Sequence, residues 1–330
     1  NRKNLKIVTR ACCEKLIIDA KRCKGVRYRK RNSVREVHAR REVILSAGVI
    51  GSPKLLMLSG IGDGQHLKEL GVDVEVDRAD VGANLTDHPE GMVGIDVNVS
   101  TYNTEINSWK IVLHSLNWLI RGRGPATSPY PHAVAFLKSD ESLGYNDIQV
   151  QLGPYAFSFS EEGVIPYDRP AISAAVNIAF PENSGSVRLR SRDPKEAPRI
   201  SHELLSSARD IDLLTAACRD VRQIFAGKAF DPFRLEERLP GQHVQSDQEW
   251  ADYLRKTAFL GYHGVATCRM GADEHAVVTP DLRLRGLDGL RVVDASVMPT
   301  LISGNTNATV IMMAERAADL IRGEQGTSRQ

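Results

Sequence analysis

A histidine and an asparagine near the carboxyl end of the chain are the residue types that a proton-transfer site needs. His263 lies in the glycine-containing turn YHGVATCRMG, and Asn305 lies in the turn SGNTNAT, just before a predicted helix. Asp294 ends the apolar run LRVVD, and small-molecule sites in α/β folds concentrate at the carboxyl ends of buried strands. Together these features indicate a site that binds a polar cofactor and moves a proton.

A structural interpretation of the same residues carries about equal weight when spacing alone is considered. In that interpretation Asp294 and Asn305 cap the final helix and the turn before it. A single histidine such as His263 is also more often structural than catalytic. The same applies to His88, which we expect to organise a loop rather than to take part in chemistry.

The elements before this site predict a small β-structure followed by a strand–helix unit. Residues 16–45 contain four short β-type runs separated by polar turns, which predicts a β-meander. The last run, at 43–45, is continuous and apolar, as in a buried parallel strand. In the helix that follows we expect Ser52 as the N-cap, Pro53 as the first residue and Gly60 at the end.

The middle of the chain, about 90–258, has a different pattern. Residues 148–152 and 174–180 alternate at period two, which predicts antiparallel strands with one covered face. Apolar residues at helical spacing predict a helix over 208–226, with Ser207 as its N-cap.

The last 70 or so residues return to the first pattern, with a buried strand at 290–294 and a helix over about 308–322 that ends at Gly323. Neither the first nor the last third has enough strands for a stable doubly wound sheet. We therefore predict that they pack together as one α/β unit, which an antiparallel α+β region interrupts.

Charge and composition exclude several classes of protein. The 43 basic and 41 acidic residues nearly cancel, so no global attraction to nucleic acid or to anionic membranes is expected. The basic stretch KRCKGVRYRKRN favours a solvated hairpin face over a nucleic-acid site, because Tyr28 is its only aromatic residue. No stretch of ~18 apolar residues occurs, so no transmembrane helix is predicted.

The five cysteines include no CxxC pair, which argues against a disulfide framework or a structural zinc site. A reducing compartment is then the default, and we expect a cytoplasmic protein without a bound metal. The chain begins with Asn1 rather than with methionine, which suggests that its start is a cut.

Several blocks of the sequence, in order, resemble the glucose–methanol–choline (GMC) family of FAD-dependent oxidoreductases. They are REVILSAGVIGSPKLLMLSGIG, VGANLTDHP, SGSVRLRSRDPKEAPRI, YHGVATCRMG, LRLRGLDGLRVVDASVMP and SGNTNATVIMMAERAADLI. Jointly they are specific, and the resemblance covers nearly all 330 residues. Two residues depart from the family pattern. Val49 stands at a position usually held by a small residue, and Ala266 replaces the usual glycine of the H-x-x-G-T turn.

The resemblance implies a role for each candidate. His263 matches the base that takes the alcohol proton, and Asn305 matches the group that hydrogen-bonds the substrate oxygen while hydride passes to flavin N5. The implied FAD-binding positions are Cys13, Ala47, Gly48, Asp294, Ala295, Asn305 and Thr306. The block containing Asn84, Asp87 and His88 is also expected near the cofactor.

The resemblance also implies a domain arrangement. A partial, Rossmann-like FAD-binding domain would be formed by residues 1–90 and 259–330. An antiparallel-sheet substrate domain would interrupt it at 91–258. The family's GxGxxG segment for the FAD pyrophosphate does not occur in the chain, which therefore resembles the C-terminal three-fifths of such an enzyme.

The implied function is FAD-dependent oxidation of an alcohol to the carbonyl, with an electron acceptor that the sequence does not identify. Two alternatives remain: an incomplete, inactive fragment of such an enzyme, and a lyase of the same family. Choline would need a carboxylate or an aromatic cage, for which Glu161 and Glu162 are candidates, but the sequence does not assign choline as the substrate. Pocket-wall candidates, each more often a core residue than a substrate contact, are Tyr130, His132, Tyr155 and Phe157.

Overall fold

The computed structural model describes residues 2–106, 108–128, 130–160 and 163–327. The helices are α1 (Gly48–Leu58), α2 (Gly64–Glu69), α3 (Tyr102–Glu105), α4 (Ser108–Arg121), α5 (Ala208–Ala226), α6 (Asp247–Thr257) and α7 (Asn307–Thr327). The strands are β1 (Ala11–Asp19), β2 (Arg22–Lys30), β3 (Ser33–His38), β4 (Val43–Leu45), β5 (Ile61–Gly62), β6 (Val76–Asp77), β7 (Pro89–Val97), β8 (Ala133–Leu137), β9 (Ile148–Gly153), β10 (Phe157–Ser160), β11 (Gly163–Pro166), β12 (Ala171–Ile178), β13 (Gly185–Arg188), β14 (Arg199–His202), β15 (Arg234–Leu239), β16 (Phe259–Leu260) and β17 (Leu290–Val292).

The first and last parts of the chain share one hydrophobic core. β1, β2 and β3 form the predicted antiparallel meander, and β4 pairs in parallel with β17 from the other end of the chain. Leu45, Leu290 and Val292 of this parallel pair are buried. Helix α1 packs against β1, where the Ser59 hydroxyl accepts a hydrogen bond from the Leu16 amide at 2.8 Å. The predicted association of the two end regions is therefore observed.

The middle of the chain forms a second core around a six-stranded antiparallel sheet. The strands lie in the order β15-β7-β12-β9-β8, and β16 also pairs with β7. One face of this sheet is covered by α5 and α6, which contribute Leu214, Phe225 and Trp250. Helix α5 has the predicted bounds, because the Ser207 hydroxyl accepts a hydrogen bond from the Asp210 amide and Gly227 follows the last turn.

Two predicted helix ends were wrong. Helix α1 begins at Gly48 rather than at Pro53, because the Ser52 hydroxyl bonds to the Ala47 amide and to a carboxylate instead of capping the helix. Pro53 has no N–H, so it cannot bond to the Val49 carbonyl one turn earlier in the helix. Pro53 is tolerated there because the Thr267 hydroxyl donates to that carbonyl instead, at 2.6 Å. At the other end of the chain, α7 continues through Gly323 to Thr327.

The mixed α/β class predicted from the sequence is confirmed by this arrangement. The two cores also interlock, since Val187 of β13 and the nearby Leu189 belong to the core of the end regions although they lie in the middle of the chain. Within the described ranges, none of the helices combines the length and apolar content needed to cross a bilayer.

Candidate functional site

A turn that contains His263 is held against the segment just before β7. The amides and carbonyls of Thr86 and Val265 bond to each other, and the Gly261 amide donates to the His88 carbonyl at 2.9 Å. One carboxylate oxygen of Asp87 accepts both the His263 and the His88 amides at 2.8 Å. These backbone contacts fix the position of His263 without using its ring.

A second, fully buried histidine favours one tautomer of the His263 ring. His88 is 0% exposed, and its Nε2 lies 3.1 Å from the Ile302 carbonyl, which can only accept a hydrogen bond. This contact favours a proton on Nε2 of His88, which leaves Nδ1 of the neutral ring as an acceptor. Nδ1 of His263 lies 3.1 Å from that atom and donates to it in this arrangement. The lone pair of neutral His263 is then on Nε2.

Burial favours the neutral form of both rings. It lowers the pKa of His88 from 6.5 to about 4, with the neighbouring His263 ring as the next largest cause. Burial also lowers the pKa of His263. At neutral pH, His263 is therefore neutral, and its Nε2 can accept a hydrogen bond or a proton.

Asn305 lies directly opposite this lone pair. Its amide nitrogen is 2.8 Å from Nε2 of His263, and its amide oxygen accepts from the Gln149 side chain of β9 at 2.9 Å. Asn305 itself is exposed, and Thr306, whose carbonyl accepts the first backbone bond of α7, is buried. The structure thus brings together the two residues predicted to be catalytic.

Asp294 lies in a separate cluster after β17, where it is hydrogen-bonded by its own chain. One carboxylate oxygen accepts the Gly48 amide at 3.0 Å and the Ser52 hydroxyl at 2.6 Å, and the other accepts the Ser296 amide at 2.8 Å. Ala295 follows in a short 3-10 turn. These bonds join the carboxyl end of β17 to the start of α1, so the side chain of Asp294 has a structural task.

The remaining predicted cofactor positions divide into two groups. Ala47 and Gly48 lie at the start of α1, and a Cβ atom placed on Gly48 would meet nothing within 4 Å, so a ligand has room to approach. Cys13 is exposed on β1, and its thiol donates to the Arg27 carbonyl at 3.7 Å, away from the His263 cluster.

The N-termini of α1 and α7 fit an anionic dinucleotide cofactor, because the amides in the first turn of a helix lack partners within the helix and carry partial positive charge. In α1 the Gly48 amide is already held by Asp294, so the amides after it remain for a ligand. Ala47 and Asn305 are exposed beside them. Elsewhere among the described residues, no group of three or more His, Cys, Asp or Glu side chains is placed to hold a metal ion.

Glu90 is a site residue that the sequence analysis did not identify. It is 5% exposed on β7, where burial raises the pKa of its carboxyl to about 7. A Cβ on Gly261 would stand 2.7 Å from the Glu90 carboxylate and 2.9 Å from Nδ1 of His263, so only glycine fits between the two groups. The DHPEG motif contained this signal, as an acid two residues after His88 at the start of a mostly apolar strand.

The aromatic wall candidates lie near this carboxylate. The rings of Tyr130 and Tyr155 are 6.3 Å apart, and Phe157 packs on Tyr155 at 5.5 Å. Burial raises the pKa of Tyr130, and the Glu90 charge adds to that rise. His132 instead bonds the Tyr102 hydroxyl at 3.0 Å. Glu161 and Glu162 lie outside the described residues.

Comparisons with known proteins agree with this geometry. Residues 1–90 and 181–314 match two family models, both described as GMC oxidoreductase. Oxygen-dependent choline dehydrogenase of Burkholderia orbicola is 38% identical over 330 residues, which are 99% of this chain and 58% of that protein. The enzyme of the same name from Cronobacter sakazakii is also 38% identical, with 58% of its length covered. The chain therefore spans about three-fifths of the curated relatives that it matches.

Solved structures show the same fold. Pyridoxine 4-oxidase from Mesorbium loti is 30% identical with a TM-score of 0.83, and the match covers 96% of this chain and 58% of that one. A formate oxidase of Aspergillus oryzae, from a study of FAD modification, is 26% identical with a TM-score of 0.90. That match covers 99% of this chain and 62% of the oxidase.

Proposed function

The chain belongs to the GMC oxidoreductase family, and from that membership we propose that it carries the base and the hydrogen-bond donor of an FAD-dependent alcohol oxidation. The observation that carries the proposal is the lone pair on Nε2 of neutral His263, which faces the amide of Asn305 at 2.8 Å. A base and a donor at one point are what removal of a hydroxyl proton needs.

In the proposed reaction, the alcohol hydroxyl replaces the Asn305 N–H at Nε2 of His263 and gives its proton to that nitrogen. The released Asn305 N–H then donates to the substrate oxygen as negative charge develops there. FAD, when bound, would supply the hydride acceptor, so that loss of the proton and a hydride would leave the alcohol as a carbonyl compound.

We assign FAD to the surface formed by the starts of α1 and α7. Ala47 and Gly48 would let the cofactor approach the backbone closely. The backbone N–H groups of Asn305 and Thr306 would donate to acceptor atoms of the flavin. Asp294 would act indirectly, since its carboxylate already holds Gly48 and Ser52. The same proposal includes Ala295 and Cys13 among the positions that contact FAD. The domain division at 1–90, 91–258 and 259–330 belongs to the same proposal.

For the substrate, we propose a small alcohol and would test a cationic one first. The curated relatives are named choline dehydrogenases, and a buried carboxylate at Glu90 lies near the rings of Tyr130 and Tyr155. A carboxylate with aromatic faces is a surface that binds quaternary ammonium groups.

The test is anaerobic reduction of the FAD-loaded protein by an alcohol, measured as the loss of flavin absorbance. Replacing the base, His263→Ala, should lower the reduction rate by about two to four decades. His275→Ala is a matched control, because His275 is an exposed histidine in the same region. Equal rates in His263→Ala and the parent would contradict the assignment.

A second proposal is that the 330-residue chain alone is catalytically inactive. It rests on the coverage of only 58% of the length of the curated relatives. Equilibrium dialysis of the isolated chain with FAD, followed by addition of an alcohol, distinguishes an active chain from an inactive one. Tight, stoichiometric binding followed by reduction with an alcohol would refute inactivity, and failure to retain FAD would support it.

A further inference from the structure

Three buried amide and carboxylate side chains connect Asn305 to the interior of the middle sheet. The Asn177 amide donates to Glu90 at 3.2 Å and to the Gln149 carbonyl at 3.3 Å, and Gln149 then donates to Asn305 at 2.9 Å. We propose that Gln149 and Asn177, anchored on Glu90, are positioning residues that fix the direction of the Asn305 amide and so keep Nε2 of His263 a proton acceptor. This inference rests on the proposed function only for its catalytic meaning.

The row is held by strand register. Asn177 of β12 lies directly opposite Glu90 of β7 on one side and opposite Gln149 of β9 on the other. Directly opposed residues on antiparallel strands share a face and lie close together. Gln149 and Asn177 are each 0% exposed, so neither can exchange its partner for water. The side chains therefore form one rigid row across three neighbouring strands.

The row has a defined direction when the Glu90 carboxyl is ionised. Burial raises the pKa of Glu90 to about 7, and above that pH the carboxylate has no hydrogen to donate, so Asn177 presents its NH2 group. That orientation leaves the Asn177 side-chain oxygen buried without a partner among the described residues, which is costly. The opposite orientation would place this oxygen against the carboxylate. The unsatisfied oxygen is thus the mark of an imposed direction.

The direction then passes along the row. Because Asn177 donates to the Gln149 oxygen, the Gln149 nitrogen faces the oxygen of Asn305. The nitrogen of Asn305 in turn faces Nε2 of His263. The Ile302 carbonyl and His88 at the other end favour the same assignment of His263. One set of donors and acceptors satisfies both ends, and it presents the lone pair at Nε2.

The test is nitrogen-15 NMR of the histidine-labelled 330-residue chain, with the His263 signals assigned by loss in His263→Asn. In the parent, Nε2 of His263 should have the shift of an unprotonated nitrogen and Nδ1 that of a protonated one. Gln149→Glu places an acceptor against Asn305, so the amide should reverse and present its oxygen to His263. The pKa of His263 should then rise above that of the parent.

A neutral second variant separates direction from charge. Gln149→Met removes both hydrogen-bonding groups, so the population of the tautomer with its proton on Nε2 should increase severalfold without a carboxylate nearby. Gln151→Met, two residues along the same strand and outside the row, should keep the parent tautomer. In FAD-loaded protein, Gln149→Met should also lower kcat about tenfold with little change in KM.

An unchanged His263 tautomer and pKa in both folded Gln149 variants would overturn the inference. Because the NMR readout needs neither FAD nor alcohol, it separates this inference from the proposed function. The expected tautomer changes with no flavin reduction by any alcohol would support the positioning row and contradict the proposed reaction.

Discussion

The clusters around Asp294 and around His263 use similar residues in different ways. All the hydrogen bonds that we find at the Asp294 carboxylate come from its own chain, and they join β17 to α1. In the His263 cluster, internal bonds order the rings and amides but leave the exposed Asn305 with a donor for another molecule. The difference teaches that a polar residue at a strand end indicates chemistry only when its hydrogen bonds are left open.

The largest expected effect separates the clusters by rate. Asn305→Leu removes the donor to the substrate oxygen and should lower flavin reduction by about 10²–10³-fold. Its unfolding free energy should fall by about 1–3 kcal/mol, because the buried Gln149 amide loses its acceptor. Stopped-flow reduction and urea unfolding measure the two quantities. A loss of stability without a loss of rate would place Asn305 in the structural class with Asp294.

The next effect concerns pH and the buried groups of the His263 cluster. The pKa of Glu90 is raised from 4.5 to about 7, so folding favours its protonated form and stability falls as pH rises through that interval. Relative to Glu90→Gln, the parent should lose about 3 kcal/mol of unfolding free energy between pH 4.5 and 7.

His88 acts in the opposite direction, because its pKa is lowered from 6.5 to about 4 and folding favours its neutral form. Its contribution to stability is lost as pH falls from 6.5 towards 4. Urea unfolding of the parent and of Glu90→Gln at a series of pH values between 4 and 7 measures the direction of both effects. Parallel curves for the parent and Glu90→Gln would show that the Glu90 carboxyl is not perturbed by folding.

A smaller effect is expected on stability at the Asp294 cluster. Asp294→Asn replaces one carboxylate oxygen by an NH2 group, which cannot accept a hydrogen bond. At least one of the bonds from Gly48, Ser52 and Ser296 is therefore lost. The unfolding free energy should fall by about 2 kcal/mol. Asp288→Asn is the control, since Asp288 is exposed just before β17. If both variants unfold like the parent, the structural role of Asp294 is wrong.

The smallest effect tests the turn that contains His263. Ala266 has φ of 74°, a left-handed conformation that favours glycine, at the position where the family pattern has glycine. Ala266→Gly should therefore raise the unfolding free energy by up to about 1 kcal/mol. Thermal unfolding measures it, with Ala276→Gly, at another buried alanine, as the control. A lower melting temperature for Ala266→Gly would indicate that the methyl group's packing outweighs the strain.

Local sequence signals predicted some helix ends well. They failed where a helix end depends on hydrogen bonds to residues that are distant in the sequence. Helix α5 was predicted to the residue because Ser207 and Gly227 act within its own ends. The start of α1 was missed because Ser52 and Val49 find partners in Asp294 and Thr267, more than two hundred positions away. No short-range pattern contains those contacts.

The candidate site shows the same limit. His263 and Asn305 were found from motifs, and the structure brings them together. Gln149 was missed because alternation with Ile148 and Val150 assigns it to a solvent-facing side of the strand. In the structure β9 is covered on both faces, so Gln149 is 0% exposed and becomes part of the row. Period-two patterns do not distinguish water from a buried polar site.

The account's central claim is that neutral His263 is the base, and the pH dependence of flavin reduction tests it most directly. The rate constant for anaerobic reduction by an alcohol should rise with pH and level off above a single pKa, below the ordinary histidine range because burial lowers the pKa of His263. In His263→Ala this pKa should disappear. A rate that falls as pH rises, or the same pKa in His263→Ala, would contradict the claim.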